Sequence, residues 1–292
     1  IRRKFKLISS ASSVSSTTTA SSSSNKSNVI EYLDWNNALD ILDKAYRLGL
    51  FVLIIGPKGT GKTTLVRKFA NLVNKDLSSI NFSLRTRESH LIGTHTVDNG
   101  QINFMNGILV RSMTEGNLLY LDELNAAEPD VLLRLDEALD DRRQLVLKES
   151  EGQTIIAKEG WFSIGTINPL SHIGTKELPP QIISRFPIRI MLDYPPEETE
   201  LEIIKKHINL SNNNNEQAII SAIRLANNLR RAASLEELFY SPSIRETIAF
   251  SKLVVNNTNP KDAAEIVFAN VYHQWGEIEY RKVMDIVTSI FI

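Results

Sequence analysis

The feature that most constrains the fold is a glycine-rich segment between an apolar run and a helical pattern. It reads G-P-K-G-T-G-K-T over residues 56–63 and matches the phosphate-loop pattern G-x-x-x-x-G-K-[ST] at each fixed position. The apolar run 51–55 predicts a buried parallel strand, and residues 62–74 predict a helix. In this context backbone N–H groups surround phosphate at the positive end of the helix dipole. The segment predicts binding of a nucleoside triphosphate, but not by itself hydrolysis.

The residues of this loop have expected roles. Lys62 is expected to reach the β and γ phosphates, and the Thr63 hydroxyl is expected to ligate Mg²⁺. The alternative is a purely structural turn, which the flanking strand and helix disfavour. The residues expected to contact ATP are Gly56, Pro57, Lys58, Gly59, Thr60, Gly61, Lys62, Thr63 and Thr64.

A second strand pattern ends in two acidic residues. The predicted strand 117–121, apolar from Leu118 onward, directly precedes Asp122 and Glu123. A carboxylate at a strand tip beside a phosphate loop is placed to hold Mg²⁺, so Asp122 is the expected metal residue beside Thr63. Glu123 is expected to orient and activate the attacking water. Without the phosphate loop, this pair would more readily indicate a helix N-terminal cap.

Strand patterns alternate with helical patterns in the first two thirds of the chain. Further strands are expected at 161–167 and 188–192, which makes four in a parallel sheet. After the double proline 195–196 the strand signal fades. The predicted helices are 34–48, 62–74, 129–139, 197–208, 216–233, 243–256, 262–275 and 278–290. We expect an α/β fold, with an αβα nucleotide-binding core over residues 30–194 and a smaller all-helical lid over 195–292.

The N-terminal segment differs in composition from the rest. Residues 9–24 are Ser, Thr and Ala with one Val, which predicts a disordered tail over 1–29. Basic residues are present and no acid occurs before Glu31, a composition typical of organelle transit peptides. A solvated tail on a cytoplasmic protein is the favoured interpretation, and organelle targeting is the alternative. The run Asn212 to Asn215 predicts a surface loop.

Composition excludes several classes of function. The 292 residues include no cysteine, which excludes disulfide scaffolds, thiolate metal sites and cysteine nucleophiles. Lys and Arg total 33 against 34 Asp and Glu, so the charge does not indicate a nucleic-acid or anionic-membrane partner. No apolar run approaches the roughly 20 residues that span a bilayer.

The motifs that follow the acidic pair resemble those of one family. The chain reads L-N-A-A-E-P over 124–129, L-D-D-R-R over 139–143, G-T-I-N-P over 165–169, S-R-F over 184–186 and S-P-S-I-R over 241–245. This series is similar to the MoxR and dynein-related branch of the AAA+ ATPases. Within the branch it most resembles the CbbQ, NorQ and GvpN group. The resemblance covers about residues 35–250.

The resemblance implies roles for three further residues. Asn168 corresponds to the sensor that contacts the γ-phosphate or the attacking water, and Arg185 to an arginine finger that acts on a neighbouring subunit's nucleotide. Arg245 corresponds to the lid arginine that senses the γ-phosphate. The residues alone also allow a turn, a salt bridge near the sheet edge and a surface arginine, respectively. Arg142 and Arg143 suit a subunit interface or a solvated turn equally.

Two segments resemble insertions of the branch. Residues 90–107 are similar to the insert that faces the central pore, with His90 where the family usually has Asp. Phe104 and Met105 are either the apolar residues that grip a partner or the buried anchor of the insert. Residues 144–158 predict a hairpin.

These features together predict an ATP-hydrolysing remodeller that forms a hexameric ring and acts on a protein client. The resemblance also implies an adaptor with a von Willebrand A-type domain. A nucleic-acid motor is one alternative, which the near-neutral charge disfavours. A nucleotide-gated scaffold without useful turnover is the other, and Glu123 and Arg185 argue against it.

Overall fold

The computed structural model describes residues 32–98, 100–169, 176–208 and 215–291. The predicted disordered tail over 1–29 lies outside these ranges, as does the predicted asparagine loop apart from Asn215. Among the described residues, no helix is both long and apolar enough to cross a bilayer.

Five of the described strands form a parallel sheet. Along the chain, the strands are β1 (Val52–Ile55), β2 (Leu77–Asn81), β3 (Gly93–Asp98), β4 (Gln101–Asn106), β5 (Leu118–Asp122), β6 (Gln144–Leu147), β7 (Gln153–Ile156), β8 (Phe162–Ile167) and β9 (Ile188–Met191). The sheet order is β2-β5-β8-β1-β9. Val52 pairs with Ile164 and Leu118 pairs with Phe162, both in parallel register. The predicted α/β fold is confirmed.

The prediction of four parallel strands was wrong by one, because β2 was missed. Its sequence, L-S-S-I-N, contains no apolar run. β2 lies at the sheet edge, where it pairs with β5 and its residues are half-buried or exposed. An edge strand with this little burial carries no continuous hydrophobic signal.

Most of the predicted helices are present close to their expected positions, but α3, α4 and α6 were not predicted. They are α1 (Ala38–Leu48), α2 (Lys62–Leu72), α3 (Glu88–Leu91), α4 (Ile108–Glu115), α5 (Pro129–Leu139), α6 (Pro180–Ser184), α7 (Glu197–His207), α8 (Glu216–Ser234), α9 (Ile244–Val255), α10 (Pro260–Ala264) and α11 (Glu277–Ile290). α1 begins four residues later than predicted. The Asp34 carboxylate accepts the N–H groups of Ala38 and Leu39 at 2.8 and 3.1 Å, which caps the helix there.

The predicted helix 262–275 is not one regular helix. α10 is followed by a π-helical turn over Glu265–Ala269 and a 3₁₀ segment over Asn270–Trp275. Phe268 and Tyr272 are both buried in this segment.

The described residues belong to one compact unit, which contains separate buried apolar clusters. The largest surrounds the parallel sheet and uses residues between Ala38 and Leu192. Two others lie among the C-terminal helices, between Ile204 and Val287. Because all five sheet strands are parallel, the carboxyl ends of β1, β5 and β8 meet at one edge. That edge is where doubly wound sheets bind ligands.

Candidate nucleotide site

The phosphate loop connects β1 to α2 and requires glycine at several positions. Gly59 and Gly61 have φ values of 74° and 92°, in the left-handed region. A Cβ added to Gly56 would lie 1.9 Å from the carbonyl oxygen of Leu192. The backbone therefore takes a path that residues with side chains cannot follow at these positions. It ends at the first turn of α2, the place where a helix favours an anion.

Lys62 is buried at the centre of the site, 8% exposed. Its ammonium donates to the carbonyl oxygens of Gly56 at 2.6 Å and Pro57 at 2.8 Å, and to Oδ1 of Asn168 at 2.9 Å. Burial lowers the pKa of Lys62 to about 8, while the carboxylates of Asp122 and Glu123 oppose that shift. The ammonium group that is expected to bind phosphate is therefore hydrogen-bonded to carbonyl oxygens of the loop itself.

Asn168 joins the lysine to the acidic pair. Its Oδ1 accepts from Lys62, and its Nδ2 donates to Oε1 of Glu123 at 3.3 Å. The side chain of Asn125 donates to the Asn168 carbonyl oxygen at 3.1 Å, which holds the segment after β8 in place. The structure thus brings together the expected phosphate-binding lysine, the sensor and the expected base.

Thr63 and Asp122, the two residues expected to hold the metal, both interact with the side chain of Tyr120. Thr63 Oγ1 lies 3.1 Å from the hydroxyl of Tyr120, which also interacts with Asp122. Burial raises the pKa of Tyr120, so the phenol stays neutral. A hydroxyl and a carboxylate beside a phosphate site are the hard oxygen donors that Mg²⁺ prefers, so the residues fit this ion. Thr63 and Asp122 are the residues that would hold it.

The C-terminal helices reach the phosphate loop. The Tyr194 hydroxyl donates to the carbonyl oxygen of Lys58 at 3.0 Å. A Cβ at Gly59 would lie 2.2 Å from Cβ of Ser243, the N-cap of α9. Arg245, exposed in the first turn of α9, is close enough for its charge to contribute to lowering the pKa of Lys62. This segment therefore lies beside the site, and the sensing role of Arg245 stays a prediction.

The remaining loop residues have lesser contacts. The Thr60 hydroxyl donates to the carbonyl oxygen of Pro57 at 3.0 Å and helps close the turn. Thr64 lies in the first turn of α2 with an exposed side chain. The nucleotide-binding roles of Thr60 and Thr64 remain predictions.

Arg185 does not join this cluster in its own chain. It follows α6, and its Nε donates to Oδ1 of Asp136 at 2.8 Å, while Nη2 lies 3.3 Å from Oδ2 of Asp140. The hydrogen bond to Asp136 raises the pKa of Arg185, so the guanidinium stays charged. The salt bridge that the sequence left as an alternative is therefore present in the single chain, and the finger role remains a prediction.

The two neighbouring arginines behave differently from each other. Arg142 is exposed and pairs with Asp140, its Nε lying 3.3 Å from Oδ1, as expected of a solvated turn. Arg143 donates from Nη2 to the carbonyl oxygen of Gly49 at 2.7 Å and lies 5.1 Å above the ring of Phe51. Arg143 therefore uses its guanidinium for contacts within its own chain.

Both predicted insertions contain antiparallel hairpins. β3 pairs with β4 within residues 90–107, and β6 pairs with β7 within 144–158. Phe104 packs against the core and meets the ring of His95 edge-on at 5.3 Å, whereas Met105 is 59% exposed. Phe104 is therefore the anchor of the insert. His90 accepts the Arg87 N–H at 3.2 Å and so closes the turn of α3.

Sequence reasoning missed several residues of the site. Tyr120, Asn125, Tyr194 and Ser243 all contact predicted site residues. A signal existed for Tyr120, because it lies two residues before Asp122 on one strand and side chains alternate with period two. Asn125 and Ser243 lie within the motifs 124–129 and 241–245, but no pattern identified their partners, since these contacts depend on how distant segments pack.

Comparison with known proteins agrees with this geometry. Residues 51–186 match the family model described as an AAA domain of the dynein-related subfamily. The chain is 31% identical to an uncharacterized protein of Staphylococcus saprophyticus, over 69% of this chain and 77% of the relative. It is 28% identical to protein NorQ of Paracoccus denitrificans, over 89% and 93%. A mutant form of RuvB from Thermotoga maritima shares the fold, with a TM-score of 0.51, 19% identity and coverage of 86% and 73%. The predicted resemblance to the NorQ group is confirmed.

Proposed function

This chain belongs to the dynein-related, MoxR-like branch of the AAA+ ATPases, and we propose that it forms a ring that uses ATP hydrolysis to remodel a protein client. The observation that carries the proposal is that Arg185 does not join the other expected catalytic residues within one chain. Lys62, Asn168 and Glu123 are hydrogen-bonded together, whereas Arg185 is bonded to Asp136 and Asp140. A site that lacks its finger is completed by a neighbour, and AAA+ proteins usually assemble as rings. A hexamer is the proposed form.

We propose that the chain's own groups divide the reaction as follows. The Lys62 ammonium leaves the carbonyls of Gly56 and Pro57 and binds the β and γ phosphates. The amide of Asn168 orients the γ-phosphate or the attacking water, and Glu123 takes the proton from that water. Thr63 and Asp122 would hold Mg²⁺, which would supply positive charge that neutralises the phosphates. Arg245 senses the γ-phosphate from its own lid.

The division of the chain is part of the proposal. A nucleotide-binding core over 30–194 and a helical lid over 195–292 account for buried clusters on either side of the double proline. Tyr194, the last residue of the core, and Ser243 of the lid both contact the phosphate loop. A change at the γ-phosphate would therefore reach the lid through direct contacts. That coupling is what a motor that acts on a client requires.

The β3–β4 hairpin is the proposed client contact. Its Val97, Ile102 and Met105 side chains are 75%, 71% and 59% exposed, and Val97 and Ile102 are directly paired across the strands. An exposed apolar pair on a hairpin anchored by Phe104 suits contact with a protein segment. An adaptor with a von Willebrand A-type domain is the proposed additional partner.

Turnover and assembly measurements test this function. Glu123→Gln is expected to bind ATP with near wild-type affinity and to hydrolyse it hardly at all, because an amide is a poor base. Glu115→Gln, an exposed glutamate on α4, is the matched control and should keep full turnover. Light scattering with saturating ATP and Mg²⁺ should report a hexamer.

The alternatives predict other outcomes. Strong stimulation of turnover by single-stranded or duplex DNA would favour a nucleic-acid motor. A wild-type chain that assembles with ATP but does not turn it over, alone or with partner, would favour a scaffold. Wild-type turnover by Glu123→Gln, or a monomer under saturating ATP, would contradict the proposal itself.

A further inference from the structure

One buried hydroxyl contacts both acidic residues of the site. Thr166 lies near the end of β8, between β5 and β1, and is fully buried. Its Oγ1 donates to Oδ1 of Asp122 at 2.6 Å and accepts the backbone N–H of Glu123 at 3.1 Å. A carboxylate oxygen accepts and an amide N–H donates, which gives the direction of both bonds, and the same hydroxyl also interacts with the hydroxyl of Tyr120.

The backbone at Glu123 is unusual and depends on this contact. Glu123 has φ 55° and ψ 43°, in the left-handed region, which is unfavourable for a residue with a side chain. There the chain leaves β5 and enters a 3₁₀ turn over Leu124–Ala126. The Thr166 hydroxyl holds the first N–H group after the strand. Strain of this kind persists only where surrounding contacts determine it.

We propose that Thr166 is a positioning residue whose single hydroxyl fixes the positions of both Asp122 and Glu123. The inference rests on the proposed roles of Asp122 in holding Mg²⁺ and of Glu123 in activating water. The short bond to Asp122 fixes the direction of that carboxylate, and the bond from the Glu123 N–H fixes the backbone from which the glutamate side chain extends. Asn168, two residues further along the same strand direction, holds the other end of Glu123 through Oε1.

A neighbouring residue provides an internal control. Ser163 lies on the same strand, is also fully buried, and its hydroxyl has no hydrogen-bond partner among the described residues. Ser163→Ala therefore removes a buried hydroxyl from β8 without touching either acid. Thr166→Val removes the hydroxyl while keeping the β-branched shape that strands favour. Thr166→Ser keeps the hydroxyl and removes the methyl group.

The experiment measures nucleotide binding and turnover separately. A fluorescent ATP analogue is titrated with and without Mg²⁺, and kcat and KM are measured for wild type and the three variants. Loss of a hydrogen bond to a charged group is expected to cost about 10- to 100-fold. We expect Thr166→Val to keep its Mg²⁺-free affinity, to need more Mg²⁺ for half-maximal binding, and to lose kcat by that factor. Thr166→Ser and Ser163→Ala should stay close to wild type.

Several results would overturn the inference. One is a Thr166→Val variant with wild-type kcat and wild-type Mg²⁺ dependence, and another is a Thr166→Ser variant as defective as the valine form. If Thr166→Val does not fold, as judged by melting, Thr166→Ala takes its place in the same comparison with Thr166→Ser. Failure of the proposed function gives a different signature, which is wild-type turnover by Glu123→Gln whatever Thr166 does.

Discussion

Arg185 and Asp136 form an ion pair across two elements of the same chain, with Nε 2.8 Å from Oδ1. The pair joins the residue after α6 to the middle of α5, and Asp140 at the end of α5 adds a second contact at 3.3 Å. Both partners are about one quarter exposed, so the guanidinium is accessible from one side. The two carboxylates hold the orientation of the guanidinium, part of which stays exposed.

The first prediction is that Arg185 acts between subunits. Arg185→Ala should leave ATP binding nearly intact and lower turnover by about 10³- to 10⁵-fold, the range known for arginine fingers. Lys62→Ala should abolish binding. Mixing these two inactive variants should restore activity, because some interfaces then pair an intact phosphate site with an intact finger. Turnover of the mixture, after subunit exchange has been demonstrated, measures this.

The matched control for the finger is Arg189→Ala. Arg189 is an exposed arginine on β9 that donates to the carbonyl oxygen of Ile183 at 3.2 Å. It should retain turnover close to wild type. If mixing restores nothing although subunits exchange, Arg185 has only the structural role that its salt bridges indicate.

The second prediction concerns the pH dependence of ATP binding. Burial lowers the pKa of Lys62 to about 8, so the free protein carries the charged form below that pH and the neutral form above it. Phosphates favour the charged form, so binding above pH 8 must take up a proton. Affinity should be level near pH 7 and fall by up to about tenfold per pH unit above 8. Calorimetry at pH 9 in two buffers of different ionisation enthalpy should detect the uptake.

Lys62→Arg provides the comparison for that titration. A guanidinium stays charged throughout this range, so any binding that remains should show no proton uptake. Equal heats in both buffers for the wild-type protein at pH 9, together with level affinity, would rule out Lys62 as the titrating group.

The third prediction concerns a buried ion pair among the C-terminal helices. Arg230 donates from Nη1 and Nη2 to the two carboxylate oxygens of Glu200 at 2.7 and 3.0 Å, and Glu200 is fully buried. Arg230→Met leaves that carboxylate without its cation and should cost about 3–5 kcal/mol in the free energy of unfolding. Urea denaturation measures the cost.

Two companion variants sharpen that measurement. Arg231→Met changes the adjacent, exposed arginine and should alter stability by less than about 0.5 kcal/mol. The double variant Arg230→Met with Glu200→Met should be more stable than Arg230→Met alone, because no buried charge is left unpaired. A double variant no better than the single one would mean that packing, and not charge, sets the cost.

The fourth prediction separates the two apolar residues of the β3–β4 hairpin. Phe104 packs on the core, so Phe104→Ser should loosen the hairpin and speed its cleavage by a protease. Met105 is 59% exposed, so Met105→Ser should leave the cleavage rate unchanged. Limited proteolysis followed by mass spectrometry measures both. Equal protection of the two variants would show that Phe104 does not anchor the insert.

Much of the site was predictable because its signals are local. The strand, loop and helix around residues 51–74 are contiguous, and each residue's expected role depends on a spacing of a few positions. The pair Asp122 and Glu123 follows its own apolar strand in the same way. Where burial is partial the signal weakens, which is why the half-exposed edge strand β2 was missed.

The sequence by itself determined the phosphate-loop motif, the acidic pair Asp122 and Glu123, the position of Asn168 after a strand, and the α/β pattern that brings them to one sheet edge. Only the tertiary structure decided how these groups are held. Thr166 meets Asp122 across 44 positions, and Arg185 meets Asp136 across 49. Periodicity tells which face a side chain occupies, but its partner depends on strand order and helix packing, which are properties of the whole folded chain.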